Sequence, residues 1–224
     1  GRESLLGTKN DLASLCSEAK KYDIKIVADV VLNHLAGKDN DYSSQVYNRY
    51  PLHTYGQKCN DDSIQAVVQG HIGLPDIDTS NKDTQATVLN MMKDYIDCGV
   101  SGFRFDAAKH IETPEDGDYA SDYWPTILNG TTTYATNKVL DAPYYYGEII
   151  NTAGKGRSFE QYKKYMSIVD SHQGTDTTEA VDDGFENRIG TSYHTGVNPD
   201  HLVLWAESHD TYANDYGYDL TREY

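Results

Sequence analysis

The stretch SGFRFDAAKH, residues 101–110, sets Arg104 and Asp106 two positions apart between Phe103 and Phe105. Side chains alternate along a strand, so the guanidinium and carboxylate share one face and the phenylalanines share the other. Alone, such an Arg-x-Asp pair is as readily a structural ion pair as part of a catalytic site. Three further stretches carry residues of the same kind. DVVLNH brings Asp29, Asn33 and His34, GEII brings Glu148, and ESHD brings Glu207, His209 and Asp210, while Lys109 and His110 follow the Arg–Asp pair directly. Each group falls at the end of a predicted strand. In a βα barrel the C-terminal strand ends form the active face, so Asp106, Glu148 and Asp210 are expected to converge on one cleft. Like charges that close raise one another's pKa, and Glu148 beside Tyr144, Tyr145 and Tyr146 is expected to be partly desolvated. A protonated carboxyl beside an ionised one is the arrangement that cleavage of a glycosidic bond requires.

The elements that must position these residues follow from apolar spacing. Leu12, Leu15, Cys16 and Ala19 recur at helical intervals, with Asn10 or Asp11 as the expected cap. The run IKIVADVVL (24–32) reads as a strand buried on both faces. Ser80-Asn81-Lys82-Asp83 has the S-x-x-D form of a helix start, and Val88, Met91, Met92, Tyr95 and Ile96 follow on one face up to Gly99. GFRFD is the next strand. A helix within 119–133, a strand at 143–150, a helix around 158–165, a strand at 167–170, a helix near 178–189 and a strand at 201–208 complete the order. Strand and helix alternate at βα spacing, so the fold class is α/β with a parallel sheet. Residues 35–75 interrupt the rhythm with Asp, Asn, Gln, Ser and Tyr and little aliphatic material, an irregular insertion of a length that usually serves a function.

Composition limits the partners. The 224 residues carry 35 Asp and Glu against 19 Lys and Arg, a formal charge of -16, which disfavours nucleic acid and anionic membranes and suits a neutral substrate or a cation. No apolar run approaches the ~18 residues of a membrane span. Cys16, Cys59 and Cys98 form neither a disulfide framework nor a zinc site, and Cys16 and Cys98 read as packed thiols. The 19 tyrosines suit a wet cleft that stacks on sugars. Ser208, His209 and Asp210 are neighbours on one strand and point to alternate faces, so they cannot form a hydrolytic triad. There is no HExxH and no GxxxxGK[ST].

Taken in order, DVVLNH, GFRFDAAKH, GEII and ESHD resemble the four sequence blocks of the α-amylase family of glycoside hydrolases (family 13), and GLPDID (73–78) resembles its short fifth block. FRFDAAKHIE and ESHDTYAND look most like the secreted bacterial enzymes of the Bacillus subtilis type. The resemblance implies a retaining hydrolase acting on internal α-1,4 bonds of starch and maltooligosaccharides. It assigns the nucleophile to Asp106, the general acid–base to Glu148 and the stabiliser of the distorted sugar to Asp210. Arg104 would orient the nucleophile, while His34, His209 and Lys109 would bind sugar. It also implies Ca²⁺, held by Asn33, Asp76 and the main-chain carbonyl of His110, with Asp78 read as a solvated turn acid. An α-glucosidase or transglycosylase acting on short α-glucans is the alternative within the family, and an inactive binding relative the alternative outside catalysis.

The same resemblance makes the fold a partial TIM (β/α)8 barrel, with about strands 3 to 7 visible. Residues 1–34 and 76–224 would be barrel and 35–75 the B-domain insertion. The first, second and eighth strands are expected to lie outside this sequence, so that residues 1–224 by themselves would be inactive. A secreted, monomeric protein is the corresponding expectation for the whole.

Overall fold

The computed structural model describes residues 7–37, 50–150, 159–170 and 199–205, together with positions 174, 176, 177, 180, 181, 184, 208 and 209. The first helix, α1 (Lys9–Lys20), is capped by Thr8, two or three residues before Asn10 or Asp11 would place it. Thr8 accepts from the Asp11 amide while the Asp11 carboxylate accepts from the Thr8 amide, a reciprocal box that satisfies two otherwise orphaned donors. Strand β1 (Val27–Val31) follows, then the short helix α2 (Ile64–Val68) within the insertion. Helix α3 (Lys82–Cys98) starts on Asn81 rather than Ser80, because the Asn81 carboxamide accepts from the amides of Asp83 and Thr84. It ends at Gly99 with φ 98°, a left-handed turn that glycine adopts without steric cost. Then come β2 (Gly102–Asp106), α4 (Tyr123–Asn137), β3 (Tyr144–Gly147), α5 (Phe159–Lys163), β4 (Ser167–Val169) and β5 (Leu202–Val203). The helix expected near 178–189 lies mostly outside the described residues, of which Ala180 and Val181 are helical.

Five strands form one sheet in the order β1-β2-β3-β4-β5, every neighbouring pair parallel. Sequential parallel order with helical crossovers is the arc of an α/β barrel. Within residues 1–224 β1 stands at the end of this order, and there the run is not buried on both faces. Val27 and Val31 are exposed, and Val30 is the buried member of the strand. On the helix side of the sheet, Phe103 and Phe105 are fully buried beneath Tyr95, Trp124 and Tyr145, with Phe105 edge-on to Trp124 at 5.1 Å between ring centroids. Val88, Met92 and Ile96 of α3 and Ile127 and Leu128 of α4 complete this core, and Cys16 and Cys98 are buried free thiols at its margin.

The insertion is less irregular than its composition suggests. Beyond α2, capped by the Ser63 hydroxyl on the Ala66 amide, it is tied to the barrel by the bridge pairing Leu52 with Ile77, and the bridge pairing His34 with Asp76 closes its base. Among the described residues no helix is long and apolar enough to cross a membrane.

Candidate active site

The register of the sheet aligns Asp29 of β1 with Arg104 of β2, and Arg104 with Tyr146 of β3. Arg104 is nearly buried and gathers three carboxylates. Its Nη1 donates to Asp29 Oδ1 at 2.9 Å and to Asp106 Oδ1 at 2.7 Å, and its Nη2 lies 3.3 Å from Glu148 Oε2. Burial works against the guanidinium charge, but the hydrogen bonds to Asp29 and Asp106 and the charge of Glu148 outweigh it and raise the pKa. Arg104 is therefore a fixed positive centre between strand ends. A guanidinium serves this better than an ammonium because its donors leave in a rigid fork.

The backbone contributes as well. Ala107, directly after Asp106, has φ 47° and ψ 31°, a left-handed conformation uncommon for a residue with a side chain. Its amide donates to Glu148 Oε2 at 2.9 Å, and the Glu148 amide in turn donates to the Phe105 carbonyl at 2.9 Å. Glu148 is thus fixed at both its main chain and its carboxylate. Gly147 before it is buried so tightly that a Cβ would come within 2.5 Å of Met166 Sδ and 3.0 Å of Ala108 Cβ.

His34, beyond β1, is half-buried. Burial lowers its pKa, with the charges of Asp106 and Asp76 pulling the other way, so the ring is chiefly neutral near pH 7. Its Nδ1 is buried and unpartnered among the described residues. Lys109 lies in the short helix Ala108–His110 after β2, and its Nζ meets Asp61 of the insertion at 3.1 Å. The His110 ring takes the Val67 carbonyl at 2.9 Å, which docks α2 onto the same short helix. Asn33 and Asp76, both buried, face one another, with the Asn33 amide 3.2 Å from Asp76 Oδ1. His209 is exposed, and Asp210 and Glu207 lie outside the described residues.

Residues 60–169 match the family model described as "Alpha amylase, catalytic domain". Over 227 aligned residues, covering 96% of the chain, the sequence is 34% identical to the α-amylase of Clostridium acetobutylicum. The chain belongs to the α-amylase family. It spans 29% of the length of that relative, and 24% of the Butyrivibrio fibrisolvens α-amylase, to which it is 26% identical over 94% of its own length. Among solved structures, α-amylase I of Eisenia fetida in complex with maltohexaose superimposes with a TM-score of 0.72, covering 90% of this chain and 45% of that one at 18% identity. An α-amylase from Anoxybacillus does so with a TM-score of 0.62, covering 77% and 36% at 22% identity. Those two share the fold.

Within this family member, the structure brings Arg104, Asp106 and Glu148 together and pairs His34 with Asp76, within reach of the Asp106 charge. Three groups were missed as site residues by sequence reasoning. Asp29 was visible as a strand-end acid, and its period-two match to Val27 and Val31 could have placed it at the Arg104 register. The left-handed Ala107 left no signal. A third group surrounds His53, whose ring nitrogens meet Asp76 Oδ2 and Glu112 Oε1, each at 2.7 Å. Burial alone would lower the His53 pKa, but the hydrogen bonds to Asp76 and Glu112 push it up to about 10. Asp78, read from sequence as a solvated turn acid, accepts from Ser80 and lies 3.4 Å from His53 Nε2, and its side chain is only partly exposed.

Proposed function

We propose that the protein carrying this sequence is a retaining glycoside hydrolase that cleaves internal α-1,4 bonds of starch and related glucans. The observation that carries this reading is the single guanidinium shared by Asp106 and Glu148 at the ends of β2 and β3. Retaining glycosidases hold their two carboxyls about 5–5.5 Å apart, and a shared Arg104 suits that shorter separation. Asp106, oriented by its hydrogen bond from Arg104, attacks the anomeric carbon and forms a glycosyl ester. Glu148 delivers a proton to the departing glycosidic oxygen, then takes one from the water that breaks the ester. Asp210, by resemblance, contacts the hydroxyls of the distorted sugar, and His34, His209 and Lys109 bind neighbouring positions. The neutral ring of His34 suits hydroxyl recognition, since it offers one donor and one acceptor.

Calcium is part of the same proposal. The test is the chemistry of the donors: Asn33 and Asp76 are buried oxygen-bearing side chains facing one another, and an amide rotated about its last bond presents Oδ1 in place of Nδ2. Hard oxygen donors of this kind suit Ca²⁺, so the residues fit. Asn33, Asp76 and the His110 carbonyl would hold the ion, which would fasten the two ends of the insertion, beside Asn33 and Asp76, to the stretch after β2.

The stereochemistry tests the mechanism. Proton NMR of the first product released from a maltooligosaccharide should show the α anomer, and a β anomer appearing first overturns the retaining route.

A further inference from the structure

The His53 group lies away from the three carboxylates gathered by Arg104, and neither the hydrolytic scheme nor the proposed calcium site uses it in full. His53 Nε2, an Asp78 oxygen and a Glu112 oxygen lie within 4.8 Å of one another. They come from three separate segments: the insertion, the stretch before α3, and the stretch after the short helix behind β2. Nε2 stands 2.7 Å from Glu112 Oε1 and 3.4 Å from Asp78 Oδ1. In a tetrahedral zinc site with bonds near 2.0–2.1 Å, neighbouring donors are about 3.3 Å apart, so of the three pairs the His53–Asp78 contact matches, the His53–Glu112 contact has to open by about half an ångström, and the Asp78–Glu112 pair lies within 4.8 Å.

Without a cation His53 is paired with a carboxylate at each ring nitrogen, and a metal at Nε2 would take the place of the proton shared with Glu112. A metal-bound imidazole usually gives its other N–H to a carboxylate, which fixes the ring and its tautomer. His53 Nδ1 meets Asp76 Oδ2 at 2.7 Å in that manner. The second Glu112 oxygen accepts from the Thr79 hydroxyl, and Asp78 Oδ1 accepts from the Ser80 amide at 3.1 Å and its hydroxyl at 2.5 Å. Glu112 is 1% exposed, deep for a carboxylate, whereas the Asp78 side chain is 26% exposed and leaves the site reachable from water. A cleft of about 330 Å³ reaches His53 and Asp76 from the side of His71 and Pro75. A ring nitrogen among the donors disfavours Ca²⁺, which takes oxygens, and suits a borderline cation that accepts imidazole and carboxylate together.

We propose that His53 Nε2, Asp78 and Glu112 form a site for a divalent transition cation of the Zn²⁺ type, distinct from the Asn33–Asp76 calcium position. Three protein ligands leave a fourth position for water. Because the ligands belong to three segments, the bound cation clamps the insertion to the barrel. Asp76 then serves both positions, with Oδ1 toward Asn33 and Oδ2 toward His53. This proposal does not depend on the glucan reading, and its test measures binding rather than hydrolysis.

The test treats the protein carrying this sequence with chelator, returns it to excess Ca²⁺ in mildly alkaline buffer, and titrates Zn²⁺ calorimetrically. Co²⁺ is used in parallel as a visible-absorbing substitute. One equivalent of Zn²⁺ should bind with micromolar or tighter affinity, Co²⁺ should give the visible bands of a four-coordinate ion, and Zn²⁺ should raise Tm in calcium buffer. Asp78→Asn, a near-isosteric change at the most exposed ligand, should fold and weaken Zn²⁺ binding by at least about tenfold. It should also remove the Zn²⁺-dependent rise in Tm. The proposal is overturned if no Zn²⁺ binds in calcium buffer, if added Ca²⁺ displaces it competitively, or if Asp78→Asn titrates as wild type does.

Discussion

Replacing Glu148 by Gln separates chemistry from architecture, because the structure shows how little else the change removes. Glu148 Oε2 accepts the Ala107 amide at 2.9 Å, a bond that a Gln carbonyl oxygen keeps. The amide gives up the ionic interaction with Arg104 Nη2 at 3.3 Å, while Arg104 retains Asp29 and Asp106 at 2.9 and 2.7 Å. Both side chains are largely buried, but Arg104 keeps two other carboxylates, so loss of this long contact should cost about 1–3 kcal/mol and lower Tm by several degrees. Removing the proton donor is a much larger effect. General acid catalysis contributes about 10²–10⁴ in rate, or roughly 3–5 kcal/mol of barrier. The expected outcome is a hundred- to ten-thousand-fold loss in kcat on a maltooligosaccharide, with dissociation constants measured by calorimetry close to wild type. A glycosyl fluoride, whose leaving group departs without protonation, should recover the bond-breaking step in part. A kcat within about tenfold of wild type, or a loss confined to KM, removes Glu148 from the acid role.

Three other perturbations act on packing, on the metal and on the sheet edge. Gly102→Ala places a Cβ 2.6 Å from the Tyr144 carbonyl oxygen in the paired strand, where backbone cannot give way; denaturant unfolding should show a loss of about 1–3 kcal/mol or more, and an unchanged midpoint contradicts the packing. Chelation should lower Tm by removing a ligand that binds the native state, and Asp76→Ala should abolish most of that response to Ca²⁺; equal shifts in variant and wild type exclude Asp76 as a ligand. Residues 1–224 expressed alone should associate and lack starch hydrolysis, because β1 presents an unpaired edge carrying exposed Val27 and Val31; light scattering showing a monomer with a cooperative transition and full activity refutes this.

Much of the framework was legible in the chain because it depends on neighbours in sequence. The alternation in FRFD sends Arg104 and Asp106 to one side and two phenylalanines to the other, and the packing of Phe103 and Phe105 against Tyr95, Trp124 and Tyr145 matches that division. Gly99 ends α3 where it was expected, since a left-handed residue is a local requirement. Caps were placed one position or more away from where they form, because Thr8 competes with Asn10 and Asp11, and Asn81 with Ser80, for the same orphan amides. The choice among such near neighbours rests on backbone angles that composition does not state.

The sequence alone determined the βα order, the set of strand-end acids and the chemistry their types permit, all of which follow from side-chain identity and short periodicities. Tertiary structure decided which of those acids share a partner. Asp29 and Arg104 are 75 positions apart, and His53 and Glu112 are 59 apart, so no local period connects them. It also decided that Val30 of β1 packs into the core while Val27 and Val31 do not within residues 1–224, a distinction the apolar run does not carry. Hydrophobic pattern reports what a segment would gain by burial; only the assembled sheet determines which of its faces are covered and which charges end up held by one guanidinium.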